Sequence, residues 1–113
     1  MQRDDAFILD ILNAAETARK FTDNLTKKEF LENLLVQSGV LHQIIIVGEA
    51  VKRLSTEFRQ NHPKIPWKFI AGMRDRITHG YFDVDLDQVW NTVEKDLPEL
   101  IKYLKPLASK EKS

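Results

Sequence analysis

Residues 85–104 read DLDQVWNTVEKDLPELIKYL, and their spacing decides the class of fold. Leu86, Val89, Trp90, Val93, Leu97, Leu100, Ile101 and Leu104 recur at intervals of three and four. At about 3.6 residues per turn such intervals gather the apolar side chains on one side of an α-helix. Asp85 supplies a carboxylate for the N-cap, and Gln88 follows three residues later. Pro98 lies inside the run and predicts a kink. Lys102 and Lys105 sit near the C-terminal end, where they complement the helix dipole.

The same period extends upstream. Asp4 or Asp5 is expected to cap a first helix whose inner face is Phe7, Ile8, Ile11, Leu12, Ala15 and Ala18. FTDNLT (21–26) breaks that helix, and Thr26 with Glu29 forms a capping box that opens a second stretch. This stretch meets no proline before Pro63, so it runs as one long helix or bends near Gln37-Ser38-Gly39. Val40, Ile44, Val47, Val51, Leu54 and Phe58 line one side of it. Ile45 and Ile46 point elsewhere, beside His42, Glu49 and Arg53, and apolarity on both sides means cover on both sides. A second subunit is one such cover; the protein's own neighbouring helices are the other. Gly48 permits close helix approach, and Glu49 and Arg53 have the i,i+4 order of an ion pair. No segment alternates with period two over a useful length. The expected architecture is an all-α bundle of four main helices, or five if the second stretch is broken. One domain covers residues 1–108, with 109–113 as a charged tail.

Composition narrows the function. The chain has 113 residues, is 42% hydrophobic and 30% charged, and so fits one ordinary globular core. Without cysteine it has neither disulfides nor a thiolate zinc site. Seventeen basic residues offset seventeen acidic ones, so any contact with nucleic acid must be local. The longest apolar run, Ile44–Val47, falls far short of a membrane span, and MQRDDAFILD lacks a signal-peptide core; a cytoplasmic protein is the simplest expectation. His42, His62 and His79 are far apart, with no HExxH pattern and no glycine-rich phosphate loop, so no metal or cofactor is expected. His62, beside Pro63, reads as a solvated turn residue.

One segment breaks the pattern. From PWKFIAG into MRDRITHGY (66–81), Pro66 suits a first helical turn. Trp67, Ile70, Ala71, Met73, Ile77 and Thr78 then share a side, and Arg74 lies in the middle of it. An arginine facing a core or an interface must find partners, because an unpaired buried charge is costly. His79 lies five positions on, about 140° round the helix. Gly80 is expected to end the helix in a left-handed conformation, with Tyr81 just beyond. Spacing alone favours a structural reading. In it Arg74 pairs with an acidic residue of a neighbouring helix, His79 complements the dipole and Tyr81 packs.

A family resemblance shifts that weighting. MRDRITHGYF (73–82) matches the R-x4-H-x-Y signature of the HepT-like ribonuclease toxins, a branch of the HEPN superfamily. IIIVGEAVKRLS (44–55) resembles the G-E-A segment of that family's long central helix. IPWKFIAGMRDRITHGYFDVDLDQVW (65–90) and VEKDLPEL (93–100) are similar to it as well. The resemblance implies a homodimeric HEPN bundle with two copies of the motif facing an interface cleft. It further implies metal-independent cleavage of RNA by Arg74 and His79, as the toxin of a type VII toxin–antitoxin system. A cognate minimal nucleotidyltransferase is the implied antitoxin, and Tyr81 the implied site of AMP transfer. Histidine suits proton transfer near neutral pH, and arginine grips phosphate through two parallel hydrogen bonds. Asp75 of either subunit, or Glu49, is expected to occupy Arg74 when no phosphate does. The alternative is a non-catalytic helical partner that regulates a nucleotidyltransferase.

Overall fold

The computed structural model describes residues 2–80 and 83–112, and among them the chain is helical with no strand. Four long rods carry the bundle: α1 (Gln2–Thr22), α3 (Leu34–Arg53), α5 (Trp67–His79), and a last rod made of α6 (Leu86–Asn91), a π-helical segment (Thr92–Asp96) and α7 (Leu97–Lys112). Two short helices, α2 (Lys27–Leu31) and α4 (Thr56–Asn61), join them. The all-α expectation and its four main helices agree with this; the break points of the second stretch do not.

That stretch breaks at Glu32-Asn33 and again at Leu54-Ser55, not at Gln37-Ser38-Gly39. The first break has a local cause. Thr26 and Glu29 do form the capping box, but Asn33 caps a new helix by accepting from the Val36 N–H at 3.0 Å. Gln37, which suggested a bend, is buried and braces the joint. Its Nε2 donates to the carbonyls of Phe30 (3.0 Å) and Leu31 (3.1 Å), at the end of α2. Gly39 marks a close approach: a Cβ there would lie 2.9 Å from the Phe21 ring.

The second break is fastened across the fold. Ser55 caps α4 by accepting from the Phe58 N–H at 3.0 Å. Its own N–H and Oγ–H donate to the two oxygens of Asp4, at 2.8 and 2.7 Å. Because α1 already begins at Gln2, Asp4 is a buried tie between helices and not the cap expected of it. His62 likewise is no solvated turn residue. Its Nδ1 shares a 2.7 Å hydrogen bond with the Tyr103 hydroxyl, its ring lies 4.4 Å from Phe58, and its carbonyl accepts from the Trp67 indole at 2.9 Å.

α3 is the central element, with α1 and α5 both packed along it. Its buried stripe is Val40, Ile44, Val47, Val51 and Leu54, as the periodicity predicts, while Ile45 and Ile46 are only partly buried. Among the described residues α3 is the one helix long and apolar enough to cross a membrane, at 20 residues and hydropathy 1.6. Much of that hydropathy is the stripe that α1 and α5 cover.

Near Pro98 the last rod changes its winding. Proline has no N–H to offer the carbonyl four residues back, and its ring crowds that carbonyl. The π segment Thr92–Asp96 sits immediately before it, and the Leu97 N–H donates to the Thr92 carbonyl, five residues back. The proline is thus accommodated by a widened turn. α7 continues to Lys112, into the stretch expected as a tail.

Burial, outweighing a hydrogen bond from Thr92, raises the Asp96 carboxyl above its ordinary value. The folded state therefore holds the Asp96 proton to higher pH than the unfolded chain does. The associated stability is complete below the unfolded value near 3.9 and is lost as pH rises through the folded one. Asp96→Asn should accordingly raise the melting temperature at pH 7, with the gain shrinking as pH falls towards 4. Thermal melts across that range will measure it.

Candidate active site

The site begins with how α5 meets α3. The Trp67 indole, bonded to the His62 carbonyl, fixes the start of α5, and buried Met73 and Ile77 hold its inner side. Between these two stands Arg74, its side chain 24% exposed. It fits only because its neighbour on α3 is Gly48. A Cβ on Gly48 would overlap Arg74 Cβ and lie 2.8 Å from its Cγ. Gly48 therefore permits the close helix approach that its position suggests.

Arg74 finds carboxylates, as a half-buried guanidinium must. Nη1 donates to Asp75 Oδ1 at 3.0 Å, and Nη2 lies 3.7 Å from Glu49 Oε1. Both carboxylates expected from sequence to lie against Arg74 do so. Glu49 turns to Arg74, not to Arg53 as its i,i+4 spacing had suggested. The guanidinium is not fully matched: Nε is buried and has no partner among the described residues. A buried N–H without an acceptor costs about 1–3 kcal/mol, so an anion reaching this atom would recover that energy.

A fourth charged group was not singled out from sequence. Lys52 Nζ donates to the same oxygen, Asp75 Oδ1, at 2.6 Å. Lys52 first, and Arg74 after it, hold the Asp75 carboxyl below its ordinary value. The signal was available, since Lys52 lies three residues after Glu49 and hence on the same side of α3. Arg74, Lys52, Glu49 and Asp75 together form a neutral quartet.

His79 is exposed on the last turn of α5, and no hydrogen bond joins it to Arg74 among the described residues. One chain thus supplies both groups on one helix without a hydrogen bond between them. Thr78, assigned to the apolar side, is exposed and donates to the Asp75 carbonyl at 3.1 Å. Gly80 ends the helix with φ −140° and ψ 50°, not in a left-handed conformation, and its N–H donates to the Arg76 carbonyl at 3.0 Å. Tyr81 lies outside the described residues. Beside Glu49 a groove of about 190 Å³ opens, lined by Phe7, Asp10, Ile46, Glu49, Ala50 and Arg53. No three His, Asp or Glu side chains gather into a metal-binding group among the described residues.

Comparison with known proteins gives a consistent result. The family described as ribonuclease HepT-like matches residues 11–107. The chain is 38% identical to a candidate RNase of Caldanaerobacter subterraneus subsp. tengcongensis, over 94% of this chain and 95% of that one. It is 39% identical to a candidate RNase of Methanocaldococcus jannaschii, over 86% and 80% of the two chains. It is 38% identical to a protein of Thermococcus cleftensis named as a probable ribonuclease HepT, over 83% and 86%. No solved structure matches the chain.

The packing at Gly48 yields a test of the site's foundation. Gly48→Ala should force α3 and α5 apart at Arg74 and cost about 1–3 kcal/mol in urea unfolding, although alanine is the better helix former. Unchanged stability would mean that the two helices do not meet at this point.

Proposed function

This chain belongs to the ribonuclease HepT-like family, and from that premise we propose that it is an RNA endonuclease whose reaction centre is Arg74, with His79 as its proton-transfer group. The observation that carries the reading is the state of Arg74. Its guanidinium is half-buried and held by two carboxylates, with a buried Nε that neither of them reaches. A phosphodiester presents the oxygens such a group lacks, and Asp75 and Glu49 hold the position until it arrives.

The proposed reaction needs no metal. The imidazole of His79 takes the proton from a ribose 2′-hydroxyl, and the 2′-oxygen attacks the adjacent phosphorus. The P–O5′ bond breaks, the leaving 5′-oxygen takes up a proton, and a 2′,3′-cyclic phosphate remains. Arg74 neutralises the charge that gathers on the non-bridging oxygens, an effect strongest where water is excluded. Within one chain His79 is exposed, and no hydrogen bond joins it to Arg74 among the described residues. We therefore read the working unit as a cytoplasmic homodimer in which two motifs face one cleft. The half-buried Ile45 and Ile46, beside exposed His42 on α3, support that reading.

In the same reading the protein is the toxin of a type VII pair. Its antitoxin, a minimal nucleotidyltransferase, joins the Tyr81 phenol oxygen to the α-phosphorus of ATP; pyrophosphate leaves and the phenolic proton passes to solvent. The AMP phosphate then competes for Arg74. A second reading, a non-catalytic helical partner of the nucleotidyltransferase, draws support from the fact that Arg74 already has carboxylate partners.

The readings part on RNA cleavage. Purified protein should cleave RNA in excess EDTA and leave 2′,3′-cyclic ends. Arg74→Ala and His79→Ala should each lose about a hundred- to a thousandfold in rate while melting near the parent temperature. Cleavage that requires added divalent metal, or that survives Arg74→Ala, defeats the mechanism. Incubation with the nucleotidyltransferase and ATP should add one AMP, located by mass spectrometry on Tyr81; an adduct elsewhere, or none, removes that part.

A further inference from the structure

We propose that Lys52 is a positioning residue for Arg74: by holding the Asp75 carboxylate, it keeps the guanidinium available to a phosphate. The inference rests on the reading of Arg74 as the phosphate-binding group, and it adds a residue to which that reading gives no role.

The argument starts from a single oxygen. Asp75 Oδ1 accepts from Lys52 Nζ at 2.6 Å and from Arg74 Nη1 at 3.0 Å, so two cations compete for one acceptor and the lysine has the shorter bond. The hydrogen bond from Lys52 is also the largest cause holding the Asp75 carboxyl below its ordinary value, ahead of that from Arg74. Asp75 is therefore Lys52's partner first. The lysine comes from α3 and the aspartate from α5, so this contact spans the two helices that build the site.

The contact also sets the local charge. With Lys52 present, Arg74 and Lys52 balance Glu49 and Asp75. Without it, two carboxylates face one guanidinium, and the surplus negative charge repels phosphate. Asp75 would also be free to take Arg74 as its sole partner. Both effects weaken phosphate binding and neither touches the reacting atoms. Stability is a minor consideration, because the Lys52 and Asp75 side chains are 43% and 40% exposed, and pairs so exposed contribute little.

The test is a charge-balanced cycle read by phosphate binding and by kinetics. The Arg74 Nε–H resonance, assigned by its loss in Arg74→Lys, is titrated with inorganic phosphate in the parent, Lys52→Gln, Asp75→Asn and the double variant. Lys52→Gln should need about three- to tenfold more phosphate for half-saturation. The double variant restores the parent's charge balance and should return to within about twofold of the parent. In RNA cleavage the same pattern should appear in KM, with kcat little changed. If Lys52 itself binds phosphate, the double variant stays defective, and the positioning role is overturned. Equal half-saturation in the parent and Lys52→Gln overturns it as well. The proposed function fails separately, through absence of cleavage by the parent or its survival in Arg74→Ala, while the phosphate titration still decides the role of Lys52.

Discussion

The contact of α3 with α5 at Gly48 is the constraint on which the rest of this molecule depends. A glycine on the central helix lets the first two side-chain carbons of Arg74 lie against the α3 backbone. That closeness fixes the guanidinium between Glu49 of α3 and Asp75 of α5, and it brings Lys52 within reach of Asp75. With any larger residue at 48, all four charged groups would change their separations. The packing of the bundle and the chemistry of the site are one arrangement.

An arginine on an apolar side is tolerated because its desolvation is incomplete and its charge is shared. At 24% exposure the side chain keeps some contact with solvent, and two carboxylates, one hydrogen-bonded and one 3.7 Å away, share its charge. Both carboxylates are themselves substantially exposed, 46% for Glu49 and 40% for Asp75. They can be displaced by a better-placed anion at little cost, as surface pairs contribute little individually. A fully buried ion pair would have held Arg74 permanently.

Features governed by neighbouring residues were legible in the sequence. The capping box of Thr26 and Glu29, the cap at Asp85, the start of α5 after Pro66 and the stripe Val40–Ile44–Val47–Val51 each depend on spacing within one element. Features governed by a partner distant in sequence were not. Gln37 looks like a bend and is a brace for α2; Asp4 looks like a cap and is tied to Ser55; His62 looks solvated and is bonded to Tyr103. Glu49 falls on both sides of this division: the pairing with Arg53 suggested by spacing is not made, while the pairing with Arg74, expected through the family resemblance, is. Gly80 differs in kind. A glycine after a helix permits a left-handed cap but does not impose one, and here Gly80 keeps a negative φ of −140°.

The distribution of charge bears on how a neutral protein can act on a polyanion. With zero net charge there is no long-range field to gather RNA, so the attraction must come from a few groups at close range. A neutral quartet satisfies that need in an economical way. It draws no anion from a distance, yet in the proposed reaction a phosphate that displaces Asp75 and Glu49 would meet an unshielded guanidinium with an unpartnered Nε. In the proposed reaction, selectivity then lies in the exchange of carboxylate for phosphate. A phosphodiester has non-bridging oxygens enough to engage Nε together with a terminal nitrogen, whereas each resident carboxylate reaches one terminal nitrogen only. The geometry that makes the resident pairs weak is the geometry that favours the proposed substrate over them.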